Sequence, residues 1–230
     1  MLAIGLVCVL AVVLALFNQG YALEQPSLKN LRSGVKTDYD VLKFDPNAAD
    51  NNVYRTHLTG NYLSTGRPYS AFLATFPASR FSFYPAVAAG CLQLVKTSIS
   101  SSTIYNCEYA TNGAFFTWDI TTTGSLCLGN LISDGKVWQL PTDGSGTGRA
   151  NFGVTADNNI ITGFIDANVL STKNFTQLIT GWGWLVRNGV SNVNVSQDLT
   201  FSPGGFTLEK APRTSVGKYG LTNILFYFSS

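Results

Sequence analysis

The stretch "ANFGVTADNNIITGFI", residues 150–165, consists of two apolar segments on either side of the triplet Asp157-Asn158-Asn159. The triplet suits a tight turn, because Asn and Asp tolerate a left-handed backbone and bond to neighbouring backbone groups. The flanking segments have the length and the apolar content of short strands. This stretch therefore predicts an antiparallel hairpin. Similar turn residues separate apolar segments on both sides of it.

Other short apolar or aromatic segments along the chain are separated by Gly, Asn or Asp in the same way. In "LVRNGVSNV" the pair Asn188-Gly189 is a strong signal for a second hairpin. Residues 69–87 predict strands that end at Pro77 and Pro85. Residues 166–180 predict the one helix, although their Asn and Thr content lowers the helix propensity of the segment. The expected fold class is α+β, a strand-dominated single domain with few helices.

The N-terminus predicts the compartment. "MLAIGLVCVLAVVLALF" is an uncharged apolar run that leads to Gly20-Tyr21-Ala22, which indicates a signal peptide over residues 1–22. An uncleaved signal anchor is the alternative. Residues 23–68 are polar and irregular and predict an N-terminal arm, which leaves 69–230 as the domain. The chain is expected in the secretory pathway, in the Golgi lumen or secreted, without a stable membrane span after cleavage.

The composition narrows the range of partners. Charged residues make up 12% of the chain and the net charge is +2, so no surface field suited to nucleic acid is expected. The sequons at Asn174 and Asn194 predict a glycoprotein. No group of His, Cys or carboxylates has metal-ligand spacing, so neither metal nor cofactor is expected. The oligomeric state stays open.

The cysteines are expected to act structurally. Removal of the signal peptide takes Cys8 with it and leaves Cys91, Cys107 and Cys127. This odd number predicts one disulfide with one thiol left over, or a partner cysteine outside the chain. The bridge would join Cys127 to Cys91 or to Cys107, and both pairings stay open.

Several loops place a Gly or a Pro beside an Asn, Asp or Arg, and each of them alone is typical of turn chemistry. Their order along the chain carries more information. The motifs "NGAFF", "CLGNLISDG", "NFGVTADN", "GWLVRNG" and "PRTSVG" follow one another between residues 81 and 217. In this order they resemble the phosphodiester glycosidase family.

The resemblance implies a hydrolase that removes N-acetylglucosamine from N-acetylglucosamine-1-phosphodiesters on mannose residues of glycoproteins, in the service of lysosomal targeting. Its partner would be the phosphorylated glycan of a glycoprotein. Family members usually continue to an Asn-Leu-Asp-Gly-Gly-Gly-Ser motif, whereas this chain ends at "LTNILFYFSS", so a missing C-terminal part is expected. A truncated, inactive member that at most binds glycan or phosphate is the alternative. A secreted β-rich adhesion domain without a common cleft is a third hypothesis.

Three residues are the catalytic candidates. Asp134 is the carboxylate expected to activate water or to stabilise the sugar cation, and Asn112 and Asn188 are expected to orient the reactants. The alternative for Asp134 is that it bonds only to local backbone groups.

Five residues are the substrate-binding candidates. Arg213 and Arg187 are expected to bind phosphate, because the planar guanidinium contacts two phosphate oxygens at once. A surface salt bridge is the alternative for each of them. The backbone of Gly113 would approach the phosphate closely, and Asn130 and Thr214 complete the set. Asp134, Arg187 and Arg213 are expected to converge on one cleft.

Three further residues attract attention by their type. Trp182 and Trp184 alternate in "GWGW" and are expected on one face of a strand. They would pack in the core, with a sugar platform as the alternative. His57, the only histidine, is expected to be a solvated loop residue.

Overall fold

The structure is a computed structural model that describes residues 6–11, 37–43, 52–63, 65–85, 105–119, 124–140, 149–193, 213–219 and 223–229. Strands dominate these ranges. In chain order they are β1 (Leu6–Ala11), β2 (Asp38–Lys43), β3 (Tyr54–Asn61), β4 (Pro68–Pro77), β5 (Phe81–Pro85), β6 (Cys107–Asn112), β7 (Phe115–Asp119), β8 (Gly124–Leu128), β9 (Leu131–Ser133), β10 (Lys136–Gln139), β11 (Asn151–Thr155), β12 (Asn159–Phe164), β13 (Phe175–Thr180), β14 (Val186–Arg187), β15 (Val190–Ser191), β16 (Arg213–Tyr219) and β17 (Asn223–Ser229). One short α-helix, α1 (Ala167–Thr172), lies entirely within the described ranges. The predicted strand-dominated α+β class is confirmed.

The central element is a six-stranded sheet in the order β10-β9-β13-β11-β12-β2, with antiparallel pairing throughout. The predicted hairpin is β11 with β12, which pair from Asn151 opposite Gly163 to Val154 opposite Ile160. Its turn contains Asn158 at φ 60°, the left-handed backbone that the Asp-Asn-Asn triplet predicted. The second predicted hairpin is β14 with β15, joined by Asn188 and Gly189. Both hairpin predictions are confirmed.

The predicted helix is only partly right. Asp166 caps α1 by accepting a hydrogen bond from the Val169 amide at 2.9 Å, as helix N-caps do. The helix ends at Thr172, and residues from Phe175 onward form β13 between β9 and β11. Pairing on both sides supplies this segment with backbone partners, and the tertiary context outweighs the weak helix propensity.

Smaller sheets complete the described fold. One has the order β16-β17-β4-β3, a parallel one has the order β5-β1-β6, and the pairs β7-β8 and β14-β15 stand alone. The expectation of an irregular N-terminal arm is wrong for two segments, because β2 and β3 form sheet edges there. Residues of β3 are exposed on nearly every position, so no apolar alternation reveals this strand in the sequence. Strand β1 lies inside the predicted signal peptide, whose cleavage stays a prediction.

An aromatic core joins the six-stranded sheet to β4 and β5. The Phe81 ring lies 5.8 Å from Phe76, 4.3 Å from Phe83 and 6.2 Å from Phe152, measured between centroids. All four side chains are buried. Since side chains alternate along a strand, Ser82 and Tyr84 lie on the opposite face of β5 from Phe81 and Phe83. The core thereby holds β5 in place and directs its polar residues toward the β9–β10 turn.

The remaining expectations concern the disulfide, the two sequons and the membrane span. Cys107 is disulfide-bonded, and the partner of Cys127 stays a prediction. Cys91 lies outside the described residues, as does the sequon at Asn194, whereas Asn174 is exposed. No helix in the described ranges is long and apolar enough to cross a bilayer.

Candidate functional site

Asp134 is presented by a two-residue turn between β9 and β10. Asp134 has φ 49° and Gly135 has φ 76°, and two consecutive positive φ values are typical of the type I′ turns that suit hairpins. The Gly135 amide donates to the Thr176 carbonyl of β13 at 2.8 Å. This bond ties the turn to the body of the sheet, so the Asp134 carboxylate projects from a fixed base.

Three neutral side chains donate hydrogen bonds to this carboxylate. Oδ1 accepts from Ser82 Oγ at 2.9 Å and from Gln177 Nε2 at 2.5 Å, and Oδ2 accepts from the Tyr84 hydroxyl at 2.8 Å. An ionised carboxylate offers about four acceptor positions. The three bonds thus leave about one position, on Oδ2, for a substrate or a water molecule.

Gln177 is held at both ends of its amide. Its side chain is buried in β13, its Oε1 accepts from the Phe83 amide at 2.8 Å, and its Nε2 also contacts Ser82 Oγ at 3.3 Å. Because the backbone amide of Phe83 is only a donor, the Oε1 end must face it. Gln177 therefore presents Nε2 to Asp134 and connects β5, β13 and the β9–β10 turn.

Tyr84 is a permanent donor at neutral pH. Burial of its ring, followed by its hydrogen bond to Asp134, raises the pKa of Tyr84 to about 12. Its ring stacks on Tyr105 with a centroid distance of 4.0 Å and an interplanar angle of 7°. The hydroxyl hydrogen is thus retained, and the stacked partner restricts the position of the ring.

A cavity of about 390 Å³ opens beside Asp134. Phe81 and Val154 supply its apolar surface, and the other lining side chains are mostly hydroxyls and amides. The described lining residues are Ser79, Phe81, Ser82, Tyr84, Asp134, Val154, Thr155, Ala156, Asn158, Thr176 and Gln177. Its volume lies within the range of small-molecule sites, which are apolar clefts with a few directed polar groups.

Arg187 binds carboxylates of its own chain. Nε and Nη2 donate to the two oxygens of Asp40 at 2.9 and 2.7 Å, and Nη1 donates to Asp38 at 3.0 Å. The guanidinium carbon lies 4.5 Å from the Trp184 ring centroid. The Arg187 guanidinium, which was expected to bind phosphate, holds the β14–β15 hairpin against β2. This is the salt-bridge alternative for Arg187.

The structure does not bring Asp134 and Arg187 together. Arg187, in β14, contacts Asp38 and Asp40 of β2, whereas Asp134 follows β9, and β13, β11 and β12 separate β2 from β9. Four inter-strand spacings correspond to about 19 Å, more than a single substrate in hydrogen-bond contact with both would span. The expectation that the two side chains converge on one cleft is corrected on this ground.

Replacing Arg187 with Gln tests its structural role. We expect a loss of about 1 kcal/mol in the free energy of unfolding, because the ion pairs are partly exposed and such pairs contribute little. Urea unfolding at low salt and at about 1 M salt measures it, and the loss should shrink at high salt, where the Debye length is about 3 Å. A loss that salt leaves unchanged would contradict an ion-pair origin.

The other predicted site residues lie in different places. Asn130 is 1% exposed, and its Nδ2 donates to Asn151 Oδ1 at 2.9 Å, so it organises the interior of the sheet. Asn188 is exposed at the tip of the β14–β15 hairpin. Asn112 ends β6 and Gly113 follows it.

Arg213 and Thr214 begin β16, opposite Ser229 and Phe228 of β17. Of the predicted site residues whose side chains the structure describes, only Asp134 lines the cavity, and the functional roles of the others stay predictions.

Sequence reasoning missed Ser82, Tyr84 and Gln177. One signal was present, since Gln177 is an amide within the apolar segment "FTQLIT", and buried amides need partners. No local pattern pairs it with Asp134, which is 43 positions away.

The structure also shows where the two tryptophans and the histidine lie. Trp184 is buried and packs against Phe164 at 6.4 Å, so its predicted core role is confirmed. Trp182 faces the Arg149 guanidinium at 4.4 Å, and neither tryptophan lies on a strand. His57 is exposed as expected but lies on β3, where its Nε2 is 2.7 Å from Ser70 Oγ. No group of three or more metal-ligating side chains occurs within the part of the chain that the structure describes.

Comparisons with known proteins agree with this fold. N-acetylglucosamine-1-phosphodiester alpha-N-acetylglucosaminidase of Mus musculus is 36% identical over 143 residues, which cover 58% of this chain and 26% of the relative. The Homo sapiens protein of that name is 33% identical over 130 residues, covering 54% and 24%. The chain therefore spans about a quarter of the length of these relatives.

A solved structure shows the same architecture. It is the zebrafish N-acetylglucosamine-1-phosphodiester alpha-N-acetylglucosaminidase catalytic domain auto-inhibited by pro-peptide. It superposes with a TM-score of 0.68 at 21% identity, over 84% of this chain and 66% of that one. The phosphodiester glycosidase family model matches residues 105–228, a segment that contains Asp134 and Gln177. The chain belongs to the phosphodiester glycosidase family.

Proposed function

We propose that this chain supplies the catalytic fold of a hydrolase that removes N-acetylglucosamine from N-acetylglucosamine-1-phosphodiesters on mannose residues of glycoproteins. The observation that supports it most is the position of Asp134, which lies at the edge of a 390 Å³ cavity within the segment matched by the family. In this proposal the enzyme acts in the Golgi lumen or after secretion and serves lysosomal targeting.

The chemistry asks for a fixed negative charge near the sugar. Breaking the bond between C1 and oxygen leaves positive charge on the sugar ring, while the leaving phosphomonoester departs as an anion. A carboxylate that is already positioned stabilises this cation without reorganising during the reaction. Three donors hold Asp134 in this way, and its remaining acceptor position on Oδ2 faces either the sugar or the attacking water.

The phosphate needs a separate cationic contact. Arg187 binds Asp38 and Asp40, and Arg213 and Thr214, which begin β16, are the other phosphate-binding candidates that we retain. Asn112, Gly113 and Asn188 stay candidates for orienting the diester.

Release of N-acetylglucosamine from a mannose-linked phosphodiester tests the proposal. The chain is assayed alone and joined to the residues that follow the matched segment in the Mus musculus relative. Release by either form, above that of the same form with Asp134→Asn, is the expected result. No release by either folded form would contradict the proposed activity.

Gln177→Leu is expected to lower kcat by about 10- to 100-fold with little change in KM, because small displacements of a catalytic group cost rates of this order. It also strands the buried Phe83 amide, at a cost of about 1–3 kcal/mol. Gln177→Glu separates the two effects, since Glu still accepts from Phe83. It places a second carboxylate beside Asp134, and like charges favour retention of a proton. The acidic limb of its pH–activity profile should therefore move to higher pH, and an unshifted profile would contradict the positioning role.

A further inference from the structure

Of the two predicted sequons, the one at Asn174 lies in the part of the chain that the structure describes. Asn174 and its neighbour Lys173 are exposed in the segment that joins α1 to β13. An N-linked glycan is a bulky, hydrated group and needs an asparagine on the surface of the folded chain. The fold therefore accommodates a glycan at Asn174 without displacing any part of the core.

The backbone of Asn174 is bonded to the rim of the cavity beside Asp134. The Asn174 carbonyl accepts from the Ala156 amide at 2.8 Å. Ala156 is exposed in the β11–β12 turn and lines the cavity. Thr176, the third residue of the sequon, also lines the cavity, and its Oγ1 donates to the Val154 carbonyl at 3.1 Å. The sequon is thus bonded to the rim of the cavity at both of its ends.

The segment that carries the sequon is fixed by the core on its other side. Phe175, the middle residue of the sequon, is 4% exposed and packs with Val169 of α1 and Leu178 of β13. The Lys173 amide donates to the Val169 carbonyl at 3.0 Å. These contacts hold the Asn174 backbone at a constant distance from the cavity, so that a glycan attached there stays beside the mouth.

We propose that Asn174 carries an N-linked glycan and that this glycan forms one side of the approach to the cavity. The glycan rests on the secretory location that is part of the proposed function. The sugar donor is a lipid-linked oligosaccharide diphosphate of the secretory pathway. In the transfer, Asn174 Nδ2 bonds to C1 of the first sugar, the bond from C1 to the diphosphate oxygen breaks, and Nδ2 releases one proton.

A glycan beside the mouth selects among substrates by their size. A small diester reaches the cavity past the glycan, whereas a diester attached close to the surface of a folded glycoprotein brings that surface against it. A restricted set of productive orientations slows association. The chain therefore prefers diesters at the ends of extended glycan branches. Removal of the glycan should raise kcat/KM for a glycoprotein diester and leave kcat/KM for a small diester unchanged.

Peptide mass spectrometry tests whether the glycan is present. The full chain is recovered from the secretory pathway of a eukaryotic cell line and treated with peptide N-glycosidase, with untreated chain as the control. This glycosidase converts a glycosylated Asn to Asp as it removes the glycan, so the mass of the peptide that contains Asn174 reports occupancy. Conversion of Asn174 only in the treated sample is the expected result.

Labelling of a thiol on the rim tests the position of the glycan without requiring turnover. Ala156→Cys supplies the thiol, which reacts with a small maleimide or with a maleimide that carries a long polyethylene glycol. The bulky reagent should react about tenfold more slowly in the glycosylated chain than in the chain that also carries Asn174→Gln, whereas the small reagent should react at similar rates in both. Asn174→Gln keeps the bond between residues 174 and 156, because that bond uses the backbone carbonyl.

A matched control moves the glycan away from the cavity. Leu63 is fully exposed, and Leu63→Thr completes a sequon at the exposed Asn61. Asn61 pairs with the first residue of β4, whereas Ser79 of the cavity wall follows the last one, and the strand between them is about 30 Å long. When Leu63→Thr is added to Asn174→Gln, the bulky reagent should react as fast as with Asn174→Gln alone.

An unoccupied Asn174 would overturn the proposal, and so would equal reaction of the bulky reagent with and without the glycan. If Asn174→Gln does not fold, an endoglycosidase that shortens the glycan to its first sugar gives the same comparison on the unchanged sequon. A glycan that slows labelling in a chain without hydrolytic activity would refute the proposed function alone. Hydrolysis by a chain whose labelling does not depend on the glycan would refute this inference alone.

Discussion

Replacing Asp134 with Asn is expected to lower kcat for release of N-acetylglucosamine by about 100- to 1,000-fold, the range for losing one preorganised electrostatic contact. The amide carries no charge to oppose the sugar cation. It preserves the local geometry, because its oxygen can accept from Gln177 and Ser82, and its nitrogen can donate to the Tyr84 hydroxyl, which also accepts. The free energy of unfolding and KM should therefore change little.

Asp166→Asn is the matched control for that experiment. Asp166 also accepts two hydrogen bonds, one from the Thr37 hydroxyl and one from the Val169 backbone amide. Asn caps a helix as well as Asp does. It does not line the cavity, so full activity is expected. The comparison uses initial rates at saturating substrate with circular dichroism to verify folding. Activity of Asp134→Asn within about threefold of wild type would exclude the electrostatic role that requires a larger loss.

Gly129→Ala is expected to destabilise the fold by about 2 to 6 kcal/mol, since backbone strain and overpacking each cost about 1 to 3. Gly129 has φ +90°, and an added Cβ would lie 2.5 Å from Thr180 Oγ1 and 2.6 Å from its Cγ2. That hydroxyl accepts from the Asn130 amide and donates to Asn151 Oδ1, each at 2.7 Å. The methyl group would therefore disturb a buried polar network as well as the backbone.

Gly189→Ala isolates the conformational part of this cost. Gly189 has a similar φ of +75°, but nothing lies within 4 Å of the position that its Cβ would occupy. We expect a loss of about 1 kcal/mol for it, from backbone conformation alone. Urea unfolding of both variants measures the difference, which is due to the contact with Thr180. Equal losses for the two would show that Thr180 moves aside at no cost.

Much of the strand architecture was predictable, because hairpins depend on turn residues that are neighbours in sequence. Asp157-Asn158-Asn159 and Asn188-Gly189 are such turns, and both predictions are confirmed. The helix over 166–180 was predicted too long, since the partners of β13 come from β9 and β11. Strands β2 and β3 were missed because their backbone pairing, rather than an apolar pattern, places them in the sheets.

The candidate site was predictable only in its central residue. Asp134 was found because Asp-Gly after an apolar strand suggests an exposed turn within a family motif. The same reasoning selected Arg187 as a phosphate-binding residue. Its guanidinium binds Asp38 and Asp40, which are 149 and 147 positions away in sequence. A guanidinium fits carboxylate and phosphate equally well, so its type alone does not select between them.

The sequence by itself determined the family, the strand-dominated class and the turns, because these depend on short motifs, on composition and on backbone preferences of adjacent residues. Only the tertiary structure decided which distant groups meet. Ser82, Tyr84 and Gln177 reach Asp134 across 52, 50 and 43 positions, through the packing of β5 against β9 and β13. The physical reason is that sheet register and core packing, rather than local preference, set the distance between side chains that are far apart in the chain.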